Sequence, residues 1–254
     1  WFWPLMGFLV AALNALFLSA DLFNLYVTLE LLGLAAVGLT AATGERRAVG
    51  AAMRYLLATL LGSGAYLMGV ALVYGTYGSV SLEVLGALVE PLPAVALAAG
   101  LMVVGMLLKT ALFPLHFWLP PAHGGAVTPV SALLSALVIK ASFYLVLRLW
   151  FGVFEPLVTV SVAQVLGALG AAAILWGSVQ ALLQVRLKML VAYSTVAQIG
   201  YLFLVFPLAT GTPSEAAAGA WQGGVLQAVA HALAKAAMFA AAGAMILGAG
   251  TDRI

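Results

Sequence analysis

The chain has 254 residues, of which 65% are hydrophobic and 7% charged, and its mean hydropathy is +1.16. That composition excludes a soluble domain of this length, and the absence of cysteine excludes disulfides, Fe–S clusters and thiolate catalysis. The net charge of +2 says little; the placement of the charges says more.

The apolar residues come in blocks of ~20, not in alternating ten-residue strands, which predicts an all-α polytopic membrane protein with about eight transmembrane helices. In chain order the segments cover residues 1–20, 21–43, 48–77, 92–119, 127–151, 157–183, 188–206 and 223–248. Asp21 and Asn24 mark the short turn between the first two, and Pro114 interrupts the fourth. The opening Trp1 and the lack of a signal-peptide pattern predict that the single transmembrane domain, residues 1–254, is a fragment of a longer chain.

Alternate threading sorts the loop charges onto two sides. One side receives Glu45, Arg46, Arg47, Arg54, His123, Arg186, Lys188, Asp252 and Arg253; the other receives Asp21, Glu83, Glu90, Arg148, Glu155 and Glu215. Six of the ten basic residues fall on the first side, which the positive-inside rule makes cytoplasmic. The loops with Arg46/Arg47 and Arg186/Lys188 are therefore expected inside a bacterial or archaeal plasma membrane.

Lys109, Lys140 and Lys235 fall in no loop, and neither do Glu30 and His231. Each lies within an apolar segment, where a charged side chain costs at least ~2.5–3.5 kcal/mol on insertion scales. Lys109 ends the uncharged run Leu97–Leu108 and is followed by Pro114, which has no N–H to offer the carbonyl of Thr110. A cation beside a helix break is the kind of site that ion-moving proteins use; the plainer alternative is a snorkelling lysine above a kink. Glu30 lies roughly 14 Å from the outer end of its segment, and Lys109 is its obvious countercharge. Lys140 is too central to snorkel, and Ser131 and Ser135 give its helix face a polar character. Gln227, His231 and Lys235 recur every four residues and stack on one face, positioned to exchange protons. Burial favours neutral lysine and a close carboxylate favours the charged form, so lysines coupled to a movable carboxylate suit proton relay. One histidine is too few for a metal site, and no motif for a cofactor, a catalytic nucleophile or nucleic acid is present. Pro4, Pro207 and Gly33 read as ordinary membrane-helix punctuation.

Five motifs resemble the antiporter-like subunits shared by respiratory complex I, Mrp-type cation/proton antiporters and membrane-bound hydrogenases. They are Leu16-Phe-Leu-Ser-Ala-Asp21-Leu-Phe-Asn24-Leu-Tyr-Val-Thr-Leu-Glu30, Lys109-Thr-Ala-Leu-Phe-Pro114-Leu-His-Phe-Trp118-Leu-Pro, Thr128-Pro-Val-Ser-Ala-Leu-Leu, Leu187-Lys-Met-Leu-Val-Ala-Tyr193-Ser194-Thr-Val-Ala-Gln198-Ile-Gly200-Tyr and His231-Ala-Leu-Ala-Lys235-Ala-Ala-Met-Phe. The first is most similar to the Mrp D-type subunit, and Lys140 fits the D-type and the complex I M- and N-type chains. The resemblance implies two inverted five-helix repeats, with this chain holding the whole first repeat and part of the second, from family helix four to helix eleven. It implies that Glu30 and Lys109 form the gating ion pair, Lys140 is a relay lysine, and His231 and Lys235 form the central relay. The ionisable exit group on family helix twelve is absent from these residues.

The function expected is a proton-translocating subunit of an Mrp-type antiporter complex, without an active site or cofactor of its own. Its partners would be other integral membrane subunits and the lipid bilayer, with protons and Na+ as candidate ions. Alternatives are a proton-pumping subunit of complex I or of a hydrogenase, where redox chemistry elsewhere drives the relay; a carrier of a small ion such as bicarbonate; and a non-conducting scaffold. A scaffold would gain by losing its buried charges.

Overall fold

Helices carry the whole architecture of the computed structural model, which describes Trp1–Ile254. Helix α1 (Phe2–Leu18) and α2 (Leu22–Thr40) form an antiparallel pair joined by a tight turn. Asp21 starts α2 by accepting the backbone N–H of Asn24 at 2.7 Å, satisfying one of the open donors of a helix start. Helix α3 (Arg46–Tyr77) stops at Gly78, whose φ of 65° is the left-handed conformation that glycine adopts without strain. A short surface helix, α4 (Leu82–Leu88), leads to α5 (Pro93–Thr110), which opens on a proline where no N–H is missed.

Beyond α5 an irregular stretch reaches the short α6 (Leu119–Gly125). One long helix follows, made of α7 (Thr128–Leu133), a π-helical turn (Leu134–Val138) and α8 (Ile139–Gly152). The second half holds α9 (Val160–Leu182), α10 (Leu187–Phe203), the short α11 (Val205–Ala209) and α12 (Ser214–Ala249), whose 36 residues extend about 54 Å.

Seven of these helical spans are long and apolar enough to cross a membrane; α1, at 17 residues, reaches about 26 Å and is the shorter eighth. The chain is an all-α, multi-pass membrane protein. Exposed Leu, Val and Phe cover its outside, as lipid contact permits, while Lys109, Lys188 and Lys235 are buried.

Two helix crossings are closer than side chains would normally allow, because glycines face each other. A Cβ on Gly105 of α5 would lie 2.3 Å from the Gly62 carbonyl oxygen of α3, and one on Gly200 of α10 would lie 2.3 Å from the Gly170 carbonyl oxygen of α9. Small residues let backbones approach where no hydrophobic drive between helices exists.

Charged residues tie chain ends and turns together at several places. Arg186 pairs with Asp252 at 2.5 Å, and Glu45 lines the same groove as both. Elsewhere Arg148 donates to the Ser19 carbonyl at 2.6 Å, beside the bridge between Asp21 and Ser81.

Several sequence expectations are corrected. The last segment begins at Ser214 rather than at 223, because the alanine-rich stretch with Glu215 in its first turn is a good helix start. Arg148 and Lys188 lie inside α8 and α10, not in loops; a single basic residue at a helix end can stay in the helix and reach a carbonyl. His123 is fully buried on α6 and is no loop residue.

Candidate functional site

The helix break expected at Pro114 spans residues 111–118, with Pro114 inside it, and it opens at Ala111. Ala111 takes φ 59°, and the N–H groups of Ala111 and Leu112 turn back to the carbonyls of Leu108 and Leu107. That is the helix ending usually given to glycine, and an alanine there costs about 1–2 kcal/mol. Trp118 offsets part of the cost, since its indole N–H donates to the Leu108 carbonyl at 2.8 Å. Pro114 itself is exposed in the connecting stretch, where it prevents the helix from resuming.

Lys109 therefore sits in the last turn of α5, where the carbonyl end of the helix favours a cation. Its Nζ lies 3.9 Å from Glu30 Oε2 of α2 and donates to Thr59 Oγ1 of α3 at 2.5 Å. Neither Glu30 oxygen accepts a hydrogen bond, so the lysine is the carboxylate's main support. Thr59 was not singled out from the sequence; a threonine in an apolar helix gives no signal until its neighbour is known. Gly33, read as punctuation, makes room for the pair. A Cβ there would come within 2.9 Å of Thr59 Oγ1 and 3.8 Å of Lys109 Nζ. A cavity of about 10 Å³ beside Gly33, Thr59, Lys109, Val138 and Ser142 is enough for one water. Thr110 Oγ1 donates to Ser142 Oγ at 3.0 Å, which ties the end of α5 to α8.

Lys140 lies two residues beyond the π turn, and its Nζ donates to the carbonyl of Ser135. A widened turn leaves a carbonyl free for that contact, a common device at functional sites. Ser135 Oγ shares a hydrogen bond with Thr195 Oγ1 of α10 at 3.0 Å, while Ser131 Oγ donates to the His123 carbonyl at 3.1 Å. The two serines serve helix contacts, and only the Ser135 backbone meets Lys140.

Gln227, His231 and Lys235 do share one face of α12, and that face meets α10 in matched pairs. Gln227 donates to Gln198 at 2.7 Å, and Lys235 donates to Ser194 Oγ. Between them His231 is 3% exposed with both ring nitrogens unpartnered. Lys140 reaches Ser135, whose hydroxyl bonds Thr195 of α10, and the neighbouring Ser194 of α10 accepts from Lys235, so both lysines meet the same stretch of α10. The structure thus brings Lys140, His231 and Lys235 into one cluster and Glu30 with Lys109 into a second.

Two further histidines follow Ala111 in the chain. His116 accepts the Trp176 indole N–H of α9 at 3.1 Å. His123 stacks on Phe239 of α12 at 4.8 Å.

The family model for NADH:quinone oxidoreductase/Mrp antiporter transmembrane proteins matches residues 19–253. The chain is 40% identical over 257 residues to NADH-quinone oxidoreductase subunit N of Desulforudis audaxviator (strain MP104C), covering 100% of this chain and 50% of that protein. Its structure is similar to a chain of the membrane-bound sulfane sulfur reductase, an archaeal respiratory membrane complex, with TM-score 0.90 and 30% identity over 98% of this chain and 50% of that one. It is also similar to a chain of the Mrp complex from Dietzia sp. DQ12-45-1b, with TM-score 0.88 and 29% identity over 99% of this chain and 46% of that one. The chain spans about half the length of the relatives it matches. With nearly all of its residues matched, it belongs to the NADH:quinone oxidoreductase/Mrp antiporter transmembrane family.

Proposed function

We propose that this chain is a proton-translocating, antiporter-like subunit of a redox-driven membrane complex of the NADH:quinone oxidoreductase type. The observation that carries it is the pair of buried ionisable clusters, Glu30–Lys109 and Lys140–His231–Lys235, linked across α8 by Thr110, Ser142 and the π turn. Identity of 40% to a subunit N supports the choice of complex. A proton moves from Lys140 through His231 to Lys235, each neutral amine taking what its neighbour's ammonium releases. The Glu30 carboxylate moves toward or away from Lys109 and so sets how tightly that lysine holds its proton. The other subunits supply the driving reaction and the exit path.

A second reading, the Mrp-type antiporter with Na+ as counter-ion, is favoured by the Asp21–Glu30 motif and by the likeness to the Mrp structure. Direction separates the two: a redox-driven subunit pumps protons when donor and quinone are supplied, and an antiporter moves them against an imposed Na+ gradient.

The relay itself is tested in the assembled complex in membrane vesicles. Lys235→Ala and Lys140→Ala should each lower proton transport by about tenfold or more, the scale of removing a proton-transfer group, with assembly unchanged on a native gel. Undiminished transport in either variant would remove that lysine from the path.

We also propose that the Arg46/Arg47 and Arg186/Lys188 end faces the cytoplasm of a bacterial or archaeal cell. The chain has no cysteine, so single cysteines report cleanly. A membrane-impermeant thiol reagent added to intact cells should label Glu215→Cys and spare Arg46→Cys. The opposite pattern inverts the topology.

A further inference from the structure

The surroundings of the Lys140–His231–Lys235 cluster differ along the length of α12. Around Lys235 and on toward Asp252, polar contacts continue: Ser135 meets Thr195, Ser131 meets the His123 carbonyl, and Lys188 meets the Ala126 carbonyl. In the other direction, toward Glu215 in the first turn of α12, the pairing of Gln227 with Gln198 is followed by aromatic rings. The two side-chain amides satisfy one another and neither titrates.

The rings come from four helices. Phe143, three residues past Lys140, and Trp150 and Phe151 are on α8; Phe203 ends α10, Phe206 is on α11, and Trp221 is on α12, ten residues before His231. Phe206 is the hub. Its ring centroid lies 5.2 Å from that of Trp150, 5.4 Å from Phe203, 6.0 Å from Phe151 and 6.2 Å from Phe143. Phe143 also meets Phe203 at 5.5 Å, and Phe151 meets Trp221 at 5.0 Å, so the rings form one connected layer. Phe143, Phe203 and Phe206 are buried, and the indole N–H of Trp150 is spent on Thr210, in the turn after α11. From Phe143 to Trp150 the layer is about 10 Å deep along α8.

A proton crosses a protein on titratable groups or along hydrogen-bonded water. Phenyl rings offer neither, an apolar cavity stays dry, and apolar constrictions close pores by dewetting. We infer that this aromatic layer is an insulator: it closes the Lys140–His231–Lys235 cluster on the side of Glu155 and Glu215, so that protons held there do not run straight through this part of the molecule. This rests on the proton-translocating reading above. A relay open on both sides would let protons run back down their gradient and dissipate what the complex stores.

The test measures passive leak. The assembled complex in vesicles, with no driving reaction, is given a pH gradient whose decay is followed with an entrapped pH dye; assembly is checked on a native gel. Phe206→Ser removes the hub ring and adds a hydroxyl, and should quicken the decay severalfold. Phe206→Tyr keeps the ring and adds only the hydroxyl; it should quicken the decay less, and it serves where the serine variant does not assemble. Phe206→Leu keeps the space apolar and should decay at the wild-type rate. Lys140→Met, placed in the same chain as the opening substitution, removes the relay amine one turn from Phe143 and should return the decay to the wild-type rate. A leak that persists with Lys140→Met comes from loosened packing and overturns the inference, as does a leak in Phe206→Leu equal to that of the serine variant. Wild-type decay in every opening variant that assembles also overturns it, and leaves the relay standing if Lys235→Ala still lowers driven transport. Undiminished driven transport in Lys235→Ala overturns the relay, and the insulator with it.

Discussion

Glu30→Gln and Lys109→Ala will each cut proton transport by about tenfold or more, and the double variant will be little worse than either single one. The reason lies in how each group depends on the other. Lys109 Nζ is 3.9 Å from Glu30 Oε2, and Glu30 has no other hydrogen-bond partner. Removing one member of a buried pair leaves the other charge uncompensated, which costs about 3–5 kcal/mol where both are fully buried. The first substitution therefore already takes away what the second would. Residues in direct contact depart from additivity by about 0.5–3 kcal/mol, enough to be resolved in a double-mutant cycle on transport rates. Thr59 provides a finer control. Its hydroxyl accepts from Lys109 at 2.5 Å, so Thr59→Val removes an anchor without touching the carboxylate. It should shift transport less than either charge substitution. Losses that multiply in the double variant would mean that Glu30 and Lys109 act separately, and the gate would be lost with them.

Gly105→Val will prevent the subunit from being recovered in its complex, whereas Gly100→Val on the same helix will be tolerated. A Cβ at 105 would lie 2.3 Å from the Gly62 carbonyl oxygen and 3.1 Å from the Tyr66 nitrogen, and both are backbone atoms that cannot turn aside. Helices α3 and α5 would have to separate. Overpacking a core costs about 1–3 kcal/mol when side chains can adjust, and more when the obstacle is backbone. Separation would also carry Lys109 away from Thr59, because Gly62 leaves just 3.2 Å between its own added Cβ and Lys109 Cγ. Gly100 has nothing within 4 Å of its added Cβ, so the same valine there meets open surface. Detergent extraction followed by native gel and thermal melting of the complex measures both. Equal behaviour of the two variants would show that helix propensity, not the crossing, decides.

Much of this protein was legible in one dimension. Twenty-residue apolar blocks declare membrane helices because backbone groups in lipid must be satisfied within the helix itself. A charge inside such a block is conspicuous for the same reason, so Glu30, Lys109, Lys140, His231 and Lys235 stood out without any coordinates. The four-residue spacing of Gln227, His231 and Lys235 fixed their common face, because helix geometry follows from sequence separation alone.

What only the tertiary structure decided depends on contacts between distant residues. Thr59 and Gly33 belong to the Lys109 site because α2, α3 and α5 cross there, and neither residue type announces that. The break around Pro114 opens as early as Ala111, where Trp118, seven residues further on, folds back onto the Leu108 carbonyl and stabilises an ending the local chain disfavours. The π turn before Lys140 has no sequence signature; it is held where α12 and α10 pack against it. His123 and Lys188 looked like loop residues because both lie at the edges of apolar runs. Their burial comes from α6 folding inward beneath Phe239, a position set by the packing of three helices and not by the order of residues.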